Sequence, residues 1–250
     1  MKQTKLLLAA LCGLFTAGSA FAADPATSSI HPDADRLLRA ACAHLSAAKA
    51  YSFKAEVWED TVVIGHKITT TKTVDARVRR PDRVQIEIRS PKRSRGFWYD
   101  GKSLTLLDRV HNLYGTVAAP DTIDKVLDAA NDQFGINFPL EDLLVSDPYT
   151  SATAAIKGGA YFGKVDILGT PCEHIAFSTD QVDWQLWIQD GPNPLPRKLV
   201  ITYKLEDTAP QFTAIFSEWK LRGGLADKTF VFTPPKGAAK IEILPASDTE

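Results

Sequence analysis

The chain has 250 residues, 44% of them hydrophobic, with 29 basic and 30 acidic side chains and a formal net charge of −1. That length fits one generous β domain with a sizeable core, and so even a balance of charge excludes the strongly basic surface on which nucleic-acid binding rests. Residues 1–22 read as a cleavable export signal. Lys2 and Lys5 form its charged region, Leu6 to Phe15 its apolar region, and Ala20-Phe21-Ala22 the small-x-small site, so cleavage is expected after Ala22. The apolar run is shorter than the roughly 20 residues a spanning helix takes, and no later run is as long, so no stable membrane insertion is expected. Cys12 sits inside that run behind Leu11, not behind the small residue that lipid attachment wants. Cleavage removes two lysines and leaves 27 basic and 30 acidic groups, a net charge of −3, on an exported, periplasmic protein.

Residues 23–31 are small and polar, a flexible leader. Pro32 and Asp33 then open a helix, with Leu37, Leu38, Ala41, Cys42, Leu45 and Ala48 recurring on one face. From Tyr51 the period falls to two: Phe53, Ala55 and Val57 alternate with Lys54, Glu56 and Trp58, and residues 83–89 alternate in every position, the pattern of a strand with one face in water. Strand signals continue at 95–99, 103–107 and 112–118, with Asp100-Gly101 as a tight turn. Residues 120–156 change texture. Ile123, Val126, Leu127 and Ala130 keep helical spacing up to Gly135, and Leu140, Leu143 and Leu144 point to a second short helix, so this segment is expected to be a helical lid inserted into the sheet. Strands resume at 161–168, 172–178, 182–188, 197–205, 211–221 and 229–232. The expected fold is mainly β: one domain over 32–245, an unclosed antiparallel β-barrel of about eleven strands with a leading helix, followed by a tail at 246–250.

No catalytic constellation assembles. The five histidines are dispersed, no Cys-x-x-Cys or His-x-x-x-His spacing occurs, and neither Gly158-Gly159 nor Gly223-Gly224 has the form of a phosphate loop. No metal or cofactor is expected, and hydrolysis is the least supported class. Lys92-Arg93-Ser94-Arg95 reads as a solvated hairpin end. Cys42 and Cys172 survive processing, and two readings stay open: a disulfide in an oxidising periplasm, or two buried thiols. What stands out is apolar excess. Trp58, Phe97, Trp98, Trp184, Leu186, Trp187, Phe212, Phe216 and Trp219 lie on strands, and Trp98, Trp187 and Trp219 fall opposite their apolar neighbours. Strands apolar on both faces either carry a helix or line a hydrophobic cavity, which makes these residues candidates for a ligand-binding cavity.

Three stretches in order, Val78-Arg79-Arg80-Pro81, Trp98-Tyr99-Asp100-Gly101-Lys102-Ser103-Leu104 and Phe230-Val231-Phe232-Thr233-Pro234-Pro235-Lys236-Gly237, make the chain resemble the LolA/LolB-type lipoprotein carriers of the Gram-negative periplasm. Val182 to Ile188 and Pro194 to Lys198 make it similar to an uncharacterised periplasmic branch of that superfamily. The resemblance implies a half-barrel capped by helices around an apolar cavity for acyl chains. It also implies a gate in which Arg80 hydrogen-bonds the lid when the cavity is empty, with Arg79 a bystander. A guanidinium suits that role because its fork of donors can hold carbonyls and release them. The function implied is non-catalytic binding of an acyl chain, lipid or lipoprotein; the alternative is an envelope sensor that uses the same half-barrel to detect lipoproteins or bind a protein partner.

Overall fold

The computed structural model describes residues 29–246 except 139 and 222. The export signal and its cleavage site therefore lie outside the described residues, as do most of the leader and tail. The elements in chain order are α1 (Pro32–Ser46), β1 (Ala50–Val63), β2 (His66–Arg79), β3 (Arg83–Arg89), β4 (Arg95–Tyr99), β5 (Ser103–Asp108) and β6 (Leu113–Ala118). After them come α2 (Ile123–Phe134), α3 (Pro148–Thr153), β7 (Gly158–Ile167), β8 (Thr170–Ser178), β9 (Val182–Gln189), β10 (Pro196–Tyr203), β11 (Gln211–Lys220) and β12 (Ala239–Lys240). All twelve strands form one sheet in the order β12-β6-β5-β4-β3-β2-β1-β11-β10-β9-β8-β7. The end strands β12 and β7 do not pair, so the barrel is unclosed.

Each helix begins and ends where its sequence dictates. His31 Nδ1 accepts from Asp33 N at the start of α1, and Thr122 caps α2, which Gly135 ends in the left-handed conformation (φ 61°). The two helices serve different parts of the concave side. Ala34, Leu37, Leu38 and Ala41 of α1 pack on Ile175, Phe177, Leu186 and Ile188 of β8 and β9. Ile123, Val126, Leu127 and Ala130 of α2, with Phe138, Leu140 and Leu144 beyond it, pack on the inward residues of β1 to β5 and β11.

Three sequence expectations need correction. The number of strands is close to expectation only because two errors offset. Strand β2 went unexpected although Val74, Ala76 and Val78 alternate with polar residues, because its half from His66 to Thr71 is exposed on both faces and carries no such pattern. The 229–232 strand does not form: a 3-10 turn at Asp227–Thr229 leads into a strap that crosses the convex face of β3 to β6. There Phe230 is fully buried beneath Arg79, and Phe232 packs on Trp98 and Tyr114. The strap then rounds the sheet edge as β12 and reaches α2, where Ala246 N donates to Gln133 O at 2.8 Å. Within the lid, Leu140 to Leu144 forms only a 3-10 turn (Glu141–Leu143), and the second helix is α3, further along the chain.

Candidate functional site

The functional geometry centres on the start of β1 and the end of β2, which pair through Tyr51 and Val78. Period two turns Tyr51, Phe53, Ala55 and Val57 inward beside Val78, Ala76 and Val74. Beyond Val78, Arg80 leaves the ladder and reaches the lid: its guanidinium donates to Leu144 O at 2.8 Å and to the Tyr51 hydroxyl at 3.3 Å. The Tyr51 hydroxyl in turn donates to Leu143 O at 2.5 Å, and its ring lies 5.5 Å from the Arg80 guanidinium carbon. Two consecutive lid carbonyls are thus held by side chains of the sheet. Burial raises the Tyr51 hydroxyl pKa, with Arg80 opposing, so Tyr51 stays a neutral donor. Arg80 Nε is buried with no hydrogen-bond partner among the described residues, which gives this arrangement a desolvation cost.

The inward face supplies the apolar bed. Phe97 meets Phe138 of the lid edge-on at 4.9 Å, and Phe212 and Phe216 join the same cluster. Trp184 stacks on Phe177 at 4.5 Å, and Leu186 packs with it under α1. Trp219 faces the same core against expectation. Glu218 adopts φ 53° where the β1–β11 register slips, and this bulge turns the Trp219 ring onto Phe53 at 4.8 Å. The ring also lines a cleft of about 590 Å³ between the end of α1, at His44, Ala47 and Ala48, and the β9–β10 turn. Trp219 therefore joins the core to solvent.

The remaining aromatic candidates lie elsewhere. Trp58, Trp98 and Trp187 have their cross-strand neighbours on the convex face, so they do not line the concave side. Trp98 lies across Gly96, where any Cβ would collide with its ring, and is covered by Phe232; Trp187 stacks on His174 at 4.2 Å. The two-sided apolar pattern was real, but on this face its cover is the terminal strap or neighbouring rings. The cysteines are free, and the pairing reading is corrected. Cys42 faces the sheet from α1, whereas Cys172 belongs to the convex cluster with Trp187 and Val200, so the sheet separates them. Burial pushes the Cys42 thiol up to about 12, aided by Asp147 and Asp142, and the Cys172 thiol up to about 11. Neither is a thiolate near neutral pH. Among the described residues, no group of three or more His, Cys, Asp or Glu side chains is placed to hold a metal ion.

Sequence reasoning missed Tyr51, whose hydroxyl holds the carbonyl next to the one Arg80 holds. The signal was present, since Tyr51 shares the inward parity of Phe53, but its lid partner is a backbone carbonyl, which no residue type reveals.

Fold and site together define a half-barrel whose apolar concave side is covered by a helical segment hydrogen-bonded to Arg80 and Tyr51. The chain belongs to the family described as predicted periplasmic protein (DUF2092), whose model matches residues 34–244. No curated protein matches the sequence. Among solved structures, an uncharacterized conserved protein from Thermus thermophilus is 10% identical, with 84% of this chain and 99% of that one covered and a TM-score of 0.49. LprF from Mycobacterium bovis is 13% identical, with 85% and 100% covered and a TM-score of 0.46. A LolA superfamily protein from Nitrosomonas europaea is 11% identical, with 80% and 97% covered and a TM-score of 0.43. Among the described residues no helix is long and apolar enough to cross a membrane.

Proposed function

We propose that the protein is a non-catalytic periplasmic binding protein, exported with cleavage after Ala22, that holds an acyl chain or similar hydrophobic ligand on the concave side of the half-barrel. The observation that carries this reading is the Arg80–Leu144 bond: a half-buried arginine holds a backbone carbonyl of a segment whose apolar side chains fill the concavity. Ile123, Val126, Leu127, Phe138 and Leu144 occupy the volume an acyl chain would take, so ligand and lid compete for one apolar surface. Each methylene buried is worth roughly 0.8 kcal/mol, so a single chain can outweigh a latch of two or three hydrogen bonds at about 1 kcal/mol each. Protein purified from periplasm should carry lipid detectable by mass spectrometry and, once stripped, bind a fluorescent fatty acid. Absence of both would sink the proposal.

A further inference from the structure

The outer half of the β1–β2 hairpin is built unlike the rest of the sheet. Past Asp60 and Thr69 the two strands pair only with each other, because β11 and β3 have already ended. The hairpin therefore projects by three residues of each strand and the Ile64-Gly65 turn, roughly 10 Å of strand. Every residue from Thr61 to Thr71 is exposed. A projecting ribbon would ordinarily be polar throughout, yet its tip is aliphatic: Ile64 is 92% exposed, Val63 and Ile68 each 49%, and Val62 39%. Ile64 also sits at φ 51°, a left-handed conformation that β-branched residues avoid and that hairpin turns usually give to Asn or Gly. Its exposure leaves that side chain without packing, among the described residues, to offset the strain.

The same end of the barrel gathers further exposed aliphatics and cations. Leu205 stands out from the β10–β11 turn and Val110 from the β5–β6 turn. Beside them a cleft of about 210 Å³ is lined by Lys92, Arg93, Ser94, Arg95, Asp108 and His111. The carboxylate of Asp108 is taken by His111 and two backbone amides. Lys92, Arg93 and Arg95 make no ion pair among the described residues. Of the other acids at this end, Asp60 pairs with Lys67, Glu59 with Lys72 and Asp180 with Lys157, while Glu206 and Asp207, next to Leu205 on the β10–β11 turn, make no ion pair among the described residues.

From this arrangement we infer that the end of the barrel bearing the hairpin tip docks on an anionic phospholipid bilayer, with Val62, Val63, Ile64 and Ile68 entering the interface and Lys92, Arg93 and Arg95 meeting lipid phosphates. A convex tip of a few side chains offers far less than the roughly 800 Å² a stable protein partner needs on each side. A bilayer interface accepts such a protrusion without matching its shape, and basic residues beside the apolar element add affinity for anionic headgroups. Docking needs no cargo in the half-barrel, so it stands apart from the carrier proposal.

Co-sedimentation of the mature protein with vesicles tests it. The protein should pellet with mixed phosphatidylethanolamine and phosphatidylglycerol, weakly with phosphatidylcholine, and less as salt rises. Ile64→Glu and, separately, the Lys92→Glu/Arg93→Glu pair should each weaken binding by about tenfold or more with unchanged thermal melting, as expected for exposed positions. Leu168→Glu, exposed on the β7–β8 turn at the opposite end of the strands, should bind vesicles like the wild type. Wild-type protein that stays in the supernatant would overturn the inference. So would variants that bind like wild type, or a lipid-free dimer in the ultracentrifuge that Ile64→Glu dissolves while vesicle binding is absent.

Discussion

Two helical segments cover the concave side of one sheet, and they are fastened by different physics. The α1 helix lies on β8 and β9 through carbon contacts: Leu37, Leu38 and Ala41 against Ile175, Phe177, Leu186 and Ile188. The lid has a comparable apolar face over β1 to β5, but its 140–145 stretch is also pinned by Arg80 and Tyr51 through two backbone carbonyls. Apolar contact falls off only as area is uncovered, whereas a hydrogen-bonded pin is either made or broken. Under the proposed function, the first cover is the permanent one and the second the one that exchanges with ligand.

Breaking the permanent cover should have the largest effect. Leu38 is 2% exposed at the centre of the α1 contact, so Leu38→Ala should lower unfolding free energy by about 2–5 kcal/mol in urea titrations without raising ligand affinity. Breaking the pin should do the reverse. Arg80→Leu removes the bonds to Leu144 O and Tyr51 while keeping an apolar stem, so the lid opens more readily and a fluorescent fatty acid should bind about 5–30-fold tighter, the equivalent of one or two hydrogen bonds. Arg79→Leu is the matched control. Its partners are Leu225 O and Asp227 of the terminal strap on the convex face, so affinity should stay put. Normal folding with unchanged affinity in Arg80→Leu would refute the pin.

The two covers were also unequally legible in the sequence. Both helices announced themselves, since 3.6-residue periodicity and the stop at Gly135 are local properties. Strand β3 was equally plain, with Val84, Ile86 and Ile88 facing inward in strict alternation. Strand β2 was plain only from Val74 to Val78, because its outer half, a ribbon wet on both faces, has no reason to alternate. The Phe230 and Phe232 alternation misled in the opposite direction: a strap laid on a sheet can place every second ring inward with no ladder of its own. At the site, Arg80 was reached through resemblance, while its acceptor is a carbonyl brought near by folding. Trp219 shows how little separates the two faces: parity put it outside, and one bulged residue at Glu218 put it inside.

The smallest expected effect tests the convex side of the α1-covered half. His174 lies between Trp187, nearly parallel at 4.2 Å, and Phe162 at 4.8 Å, with Nε2 3.1 Å from Gln185 Oε1 and Lys198 over the far face of the Trp187 stack. Burial in that stack lowers its pKa below 6.5; the Gln185 hydrogen bond opposes the shift, and the Lys198 charge adds to it. A base whose folded pKa is depressed binds fewer protons folded than unfolded once pH drops through the unfolded value near 6.5. Its contribution to stability is therefore complete above that pH and declines as pH falls toward the folded pKa. His174→Phe keeps a ring in the stack and removes the proton site. The difference in unfolding free energy, wild type minus variant, should thus be constant between pH 7 and 8 and decrease toward pH 5, with the carboxylates common to both chains cancelling. Parallel stability curves over that range would mean that the imidazole titrates as freely in the stack as in water, and that the stack does not shield it.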